Sequence, residues 1–301
     1  MPIPINCSEW KATALIDFIT IAFPSKLKTI KDVSSLKWNG KGTIQCAKKF
    51  GRYHGHGCDW LTIHDPDREA LQFLIDSFPN TEVIALEVSI DLRPRNPRVS
   101  FVKLYQAHAW LTKTLFPQRH RTMVEVSCRK QYDTVDKKIK KIPLTPVTRR
   151  NTVYWENQTT HEKVKLYVKT EDKHISPVIP STRIEITLDR GGCQNAELTR
   201  LTTLPSLAPR LRRYLSPFFD VACAIQPKIR RNRTTTPLKR IKAEHRAALE
   251  SERTDRNWRK YGATWAAKHH YRALPDREVN RMIGGALNAL RRDLMKLKSP
   301  S

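Results

Sequence analysis

Tyr167 lies between two lysines, Lys165 and Lys169, in the run Val164 to Lys169 (VKLYVK). Side chains of an extended strand alternate between its two faces. As a strand, this run turns Val164, Leu166 and Val168 one way and Lys165, Tyr167 and Lys169 the other. A phenol oxygen is a nucleophile that can bond covalently to phosphorus. Flanking ammonium groups favour the phenolate and bind phosphate. Two further runs alternate similarly. Leu86, Val88, Ile90 and Leu92 share an apolar face and leave Glu87, Ser89 and Asp91 opposite. Ile184, Ile186 and Leu188 leave Arg183, Glu185 and Asp189 opposite. Glu87, Asp91 and Glu185 are oxygen ligands suited to Mg²⁺ or Mn²⁺, which polarises a scissile phosphate. If the three strands join one sheet with polar faces together, that face can cut a phosphodiester. If they do not, the same pattern is a solvated sheet face with ordinary cross-strand ion pairs.

A second cluster runs from Tyr53 to His64 (YHGHGCDWLTIH). His54, His56, Cys58, Trp60, Thr62 and His64 share one parity, so an extended chain puts them on one face. His54 and His56 form a His-x-His pair, a weaker metal candidate. Gly55 and Gly57 interrupt it, and a glycine-rich loop with incidental histidines fits better. The six cysteines include no Cys-x-x-Cys pair, so a zinc ribbon is not supported.

The elements that must position these groups read as strands with a few helices. Leu15 to Phe23 is a β-branched, aromatic run closed by Pro24. Thr43 to Cys46, Trp60 to His64, Val83 to Leu92, Met123 to Cys128, Thr152 to Trp155, Val164 to Lys169 and Arg183 to Leu188 are the other strands expected. Asp67 caps a helix to Phe78, with Leu71, Leu74 and Ile75 on one face. Ser100 to Phe116 is a second helix, with Phe101, Leu104, Tyr105, His108, Leu111 and Leu115 at helical spacing. Lys137 to Arg150 and Glu171 to Ser181, each with two prolines, read as surface loops. This order predicts an α+β domain, an antiparallel sheet with helices on one face.

The 301 residues carry a formal net charge of +26, which calls for a polyanionic partner, nucleic acid above all. No apolar run reaches the length of a membrane span. The N-terminus has no secretory signal pattern, which implies a cytoplasmic protein. Lys228 to Ser301 holds 20 Lys/Arg against 7 Asp/Glu, half of the total net charge. It reads as helical, with Trp258, Tyr261 and Trp265 spaced for packing and a last helix opened by Pro275. Lys228, Arg230, Arg231, Arg233, Lys239 and Arg240 are its candidate phosphate contacts.

The order of these motifs resembles the filamentous-phage gene II replication proteins and their rolling-circle plasmid relatives. The similarity runs from LIDFITIAFP at Leu15 to Pro24, through Ile90-Asp91, to TVYWENQTTHEKVKLYVK at Thr152 to Lys169 and RIEI at Arg183 to Ile186. It covers roughly residues 11 to 190 and leaves out the charged C-terminal segment. The resemblance implies an HUH- or RRM-like nicking domain; the change in composition sets its expected extent at residues 1–228 and leaves 229–301 as a basic helical region. It implies a single-strand endonuclease and strand transferase that uses Mg²⁺ or Mn²⁺ and leaves a 5′-phosphotyrosine and a 3′-hydroxyl primer. Tyr167 matches the nucleophile of the phage members, and Tyr154 is the alternative from the plasmid relatives. Origin DNA, single- and double-stranded, would be the substrate in the host cytoplasm, with host helicase and polymerase as partners. The charge and tail fit equally an origin-binding protein or repressor without chemistry. An RNA-binding reading is weaker, because no strand carries base-stacking aromatics of the RNP kind.

Overall fold

Period-two alternation becomes an eight-stranded sheet in which every pairing is antiparallel. The computed structural model describes residues 5–22, 43–47, 60–96, 101–115, 123–125, 128–133, 138–143, 152–157, 162–170, 179–226 and 272–298. The sheet strands are β1 (Trp10–Ala22), β2 (Thr43–Ala47), β3 (Trp60–His64), β4 (Glu82–Pro94), β5 (Met123–Glu125), β8 (Thr152–Asn157), β9 (Lys163–Lys169) and β10 (Ser181–Leu188). Their spatial order is β2-β3-β1-β4-β10-β9-β8-β5. Two small ladders stand apart: β6 (Cys128–Asp133) with β7 (Lys138–Pro143), and β11 (Ala222–Gln226) with β12 (Arg272–Pro275). Part of the expected basic loop at 137–150 is thus a strand, because pairing with β6 supplies hydrogen bonds that composition cannot announce.

Among the described residues, five α-helices complete the fold: α1 (Arg68–Ser77), α2 (Phe101–Thr114), α3 (Arg190–Asn195), α4 (Leu204–Leu215) and α5 (Arg277–Met295). The Asp67 carboxylate accepts from the Ala70 N–H at 2.8 Å, the expected cap of α1. The helices lie on one face of the sheet, giving the α+β architecture. Ile19, Ile21, Leu86, Val88, Ile90, Leu166, Ile184 and Ile186 are fully or almost fully buried there. Leu74 and Ile75 of α1, Leu104 and Leu111 of α2, and Leu211 and Leu215 of α4 join the same core. Each such side chain contributes about 1.5–3 kcal/mol.

α5 belongs to that core as well. It falls inside the basic segment 229–301, yet Val279, Ile283, Leu287 and Leu294 pack with the sheet. Asn280 clamps it, accepting from the Val221 N–H at 2.8 Å and donating to the Val221 carbonyl at 2.9 Å. Residues 227–271, with Lys228, Arg230, Arg231, Arg233, Lys239, Arg240 and the Trp258–Tyr261–Trp265 stripe, lie outside the described residues. Gln226 pairs with Arg272, so the two ends of that segment meet.

Candidate functional site

The register brings the three polar strand faces together. Asp91 of β4 stands opposite Arg183 of β10, which stands opposite Tyr167 of β9. One step along, Ser89 faces Glu185, Glu185 faces Lys165, and Lys165 faces Tyr154 of β8. Another step gives Glu87, Thr187 and Lys163. Lys169 sits opposite Ser181 at the end of β9. His54 and His56 lie outside the described residues.

A β-bulge adds a residue that alternation alone does not assign. Between Ile16 and Phe18 the pairing of β1 with β4 slips, and Asp17 has no partner on β4. A bulge re-aims side chains, and it sets Asp17 among the polar groups of the face. Its carbonyl accepts from the Asp65 N–H at 2.7 Å, where Asp65 takes the left-handed backbone that ends β3 (φ 48°). The run LIDFITIAFP contains Asp17, but alternation alone assigns it no role. A carboxylate in the middle of a β-branched strand is the signal that could have found it.

Arg183 organises one half of the face. Its guanidinium grips Asp91 at 2.7 Å (Nε to Oδ1) and 2.9 Å (Nη2 to Oδ2), and reaches Asp17 Oδ1 at 2.5 Å. Arg93 Nη2 and Ser181 Oγ also donate to Asp91, at 2.6 and 2.9 Å. Burial alone would raise the Asp91 pKa, but the Arg183 hydrogen bonds and charge outweigh it and hold the carboxyl below its usual range. Asp91, expected as a metal ligand, is therefore engaged by two arginines and a serine. Burial opposes the Arg183 charge too, and Asp91 with Asp17 reverses this and raises its pKa.

The other half is carboxylate-rich. Among the described residues, Asp17, Glu87 and Glu185 offer oxygens all within 4.8 Å of one another. Burial, then the charge of Glu185, pushes the Glu87 carboxyl up to about 8, although Thr187 donates to it. Glu185 is 2% exposed. It takes the Lys165 ammonium at 2.7 Å on one oxygen and the Tyr167 hydroxyl on the other. Lys165 also lies 4.4 Å from the centre of the Tyr167 ring. Burial works against the Lys165 ammonium, and Glu185 more than restores it. Burial, then Glu185, raises the Tyr167 pKa, with Arg183 acting the other way. The phenol is thus neutral at rest, with its proton already directed at a carboxylate. Ser89 Oγ, between Glu87 and Asp91 on β4, is buried and has no hydrogen-bond partner.

These groups fit a divalent cation of the oxygen-preferring kind. The donors are all carboxylates, one of them is driven toward its neutral form by burial and then by the charge of its neighbours, and a buried hydroxyl beside them lacks a partner. A cation would remove the repulsion that raises Glu87.

No protein-family profile and no curated protein matches the chain. Among solved structures, a rolling circle replication initiator protein from Geobacillus stearothermophilus is similar at 11% identity and a TM-score of 0.34, over 75% of this chain and 92% of that one. Likeness of that degree does not establish a shared function.

Proposed function

We propose that this protein is a rolling-circle replication initiator that nicks one DNA strand by transesterification. The observation that carries the reading is the hydrogen bond from the Tyr167 hydroxyl to Glu185, inside a cluster with Asp17, Glu87 and Lys165. The Tyr167 oxygen bonds to phosphorus, and the bond from phosphorus to the 3′ oxygen breaks. One phosphate ester replaces another, so no co-substrate is consumed. The phenolic proton passes to Glu185 Oε1, its hydrogen-bond acceptor, and the departing 3′ oxygen takes a proton from solvent to become the hydroxyl, so protons balance. Lys165, beside both groups, offsets charge on the phosphate. The product is a 5′-phosphotyrosine and a free 3′-hydroxyl that a host polymerase can extend. Lys169, at the end of the same strand face, is placed to hold a flanking phosphate.

Asp17, Glu87 and Glu185 would hold Mg²⁺ or Mn²⁺, which supplies polarisation of the scissile phosphate when bound. Asp91 anchors Arg183 in this reading. Tyr154 shares the face across from Lys165, but the hydroxyl that Glu185 holds is that of Tyr167. The net charge of +26 supports DNA as the partner. Lys228, Arg230, Arg231, Arg233, Lys239 and Arg240 would add phosphate contacts, and a host helicase would open the duplex in the cytoplasm of the host cell. No described helix is long and apolar enough to cross a membrane.

The test is adduct formation on labelled single-stranded origin DNA with Mn²⁺. Tyr167→Phe should reduce the covalent adduct to background while DNA affinity stays within about twofold. Tyr154→Phe should leave the adduct intact. Adduct on Tyr167→Phe and none on Tyr154→Phe would move the nucleophile to β8. DNA binding without adduct from any form would favour an origin-binding protein without chemistry.

A further inference from the structure

α5 carries two consecutive glycines, Gly284 and Gly285, in the middle of a regular helix of 19 residues. Glycine inside a helix is destabilising, because it gives up the most conformational freedom. The packing asks for neither one. A Cβ on Gly285 would meet nothing within 4 Å, and one on Gly284 would meet only Arg212 Nη2 of α4, at an ordinary 3.8 Å. Glycines that the chain's own packing does not need leave room for something outside it to come close to the helix backbone.

The charge around the pair identifies what comes close. Residues three, four and seven apart share a helix face. By that spacing Arg281, Asn288, Arg291 and Arg292 surround the glycines, and Arg212 closes the side toward α4. Arg281 and Arg292 are exposed, and Arg212 and Arg291 half-buried. Among the described residues, no carboxylate pairs with any of these four arginines. The Nε–H groups of Arg212 and Arg291 are shut off from water, and neither has an acceptor there. The acidic groups of α5 stand at its ends. Asp276 caps the first turn by accepting from the Val279 N–H at 3.1 Å, Glu278 lies in that turn, and Asp293 holds Lys296 at 2.9 Å. Residues 279–292 have none.

A planar guanidinium matches phosphate with two parallel hydrogen bonds. No aromatic side chain lies in α5, so exposed bases find nothing to stack on. A duplex turns its bases inward and its phosphates outward, and that is the form of nucleic acid this face suits. From Arg281 to Arg292 the row runs about 15 Å along the helix. The opposite side of α5, with Val279, Ile283 and Leu287, packs in the core on the helix-covered face of the sheet, whereas Tyr167 stands on the other face.

We propose that Gly284 and Gly285, with Arg212, Arg281, Arg291 and Arg292, form a cradle for the phosphate backbone of a nucleic-acid duplex, gripped without regard to sequence. The cradle is separate from the tyrosine site and does not need nicking. Only the identity of the duplex as DNA rests on that reading.

The experiment measures duplex binding without chemistry. Full-length Tyr167→Phe protein in chelator is titrated into a fluorescent 20-base-pair DNA duplex of arbitrary sequence, and into its RNA counterpart, over a range of salt. Adding Arg281→Gln, Arg291→Gln and Arg292→Gln together should weaken DNA binding at least about tenfold. The slope of log affinity against log salt should become shallower by about 2–3. Gly285→Met places a side chain in the open space without changing the charge. As a better helix former it should raise the unfolding temperature by about 1–3 °C. It should nevertheless weaken duplex binding at least about fivefold, because it holds the phosphates off the arginines. Unchanged affinity and slope in the folded arginine variant overturn the cradle. Wild-type affinity in Gly285→Met also overturns it, because general charge would then suffice, and this variant decides alone if the arginine variant does not fold. Failure of the cradle leaves adduct formation at Tyr167 as it was. The expected losses together with a strong preference for the RNA duplex would keep the cradle and remove the nicking reading.

Discussion

Asp91 and Glu87 share one face of β4, separated by Ser89; Asp91 is buried and Glu87 half-buried. Their neighbours differ. Asp91 meets the fork of Arg183, and its pKa falls. Burial, then the charge of Glu185 and of Asp17, raises the Glu87 pKa to about 8. A buried carboxylate already neutralised by a guanidinium has little to gain from a metal ion, and serves to hold the arginine in place. A carboxylate crowded by others gains the most, because the cation removes the repulsion. Two carboxylates at a spacing of four residues thus separate into an anchor and a candidate ligand, and the charges gathered around each decide which is which.

The largest effect should come from breaking the anchor. Asp91→Asn leaves the Arg183 guanidinium buried without its main counter-charge. Removing one partner of a buried pair costs about 3–5 kcal/mol. Urea unfolding at neutral pH should show that loss, and a midpoint near wild type would remove the anchor role. The pH dependence has a fixed sign. Because the folded pKa of Asp91 is depressed, its contribution is present above the unfolded pKa and disappears as pH falls through the folded one.

Glu87 should behave in the opposite way, with a smaller effect. Its folded pKa lies above the ordinary 4.5, so the folded protein holds a proton that the unfolded chain releases. Stability from this group is full below about pH 4.5 and declines as pH rises toward 8. Glu87→Gln should flatten that decline and stabilise the protein at pH 8 by a few kcal/mol, while abolishing cation-dependent nicking. Urea unfolding at pH 5 and pH 8 distinguishes the two forms. Mg²⁺ or Mn²⁺ should restore the wild type at pH 8 and do nothing for the variant. A wild-type stability that is flat across this interval would contradict the repulsion argued here.

Alternation made much of this site legible. Lys165, Tyr167, Glu87, Asp91, Arg183 and Glu185 can be placed on polar faces from period two alone, and the register joins those faces. Register itself is a long-range property. No local rule says that Asp91 lies opposite Arg183 while Glu87 lies opposite Thr187. The bulge that admits Asp17 is equally hidden, because it arises from a slip between two strands. Within 204–215, Pro205 and Pro209 obscure α4, although its Leu204, Leu211 and Leu215 are buried. In 229–301 the helical spacing of Val279, Ile283, Leu287, Leu290 and Leu294 makes α5 legible, but the basic composition hides the fact that its stripe packs in the main core. Charge lies on the outer surface of that helix and says nothing about its inner one.

Ser89, between the anchor and the candidate ligand, gives the smallest effect and the finest distinction. Its hydroxyl is buried without a partner, which costs about 1–3 kcal/mol relative to a satisfied group. Ser89→Ala removes that unsatisfied group and leaves only a small void. In chelator the variant should be as stable as wild type or more so, by up to about 1 kcal/mol. The reading in which Ser89 completes the coordination of a cation, directly or through water, adds a second expectation. Mn²⁺ affinity, followed by the rise in unfolding temperature on titration, should weaken several-fold in the variant. Gain in chelator together with loss in Mn²⁺ would tie Ser89 to the carboxylates of Glu87 and Glu185. Gain in both would place it with Asp91, as part of the scaffold that holds Arg183.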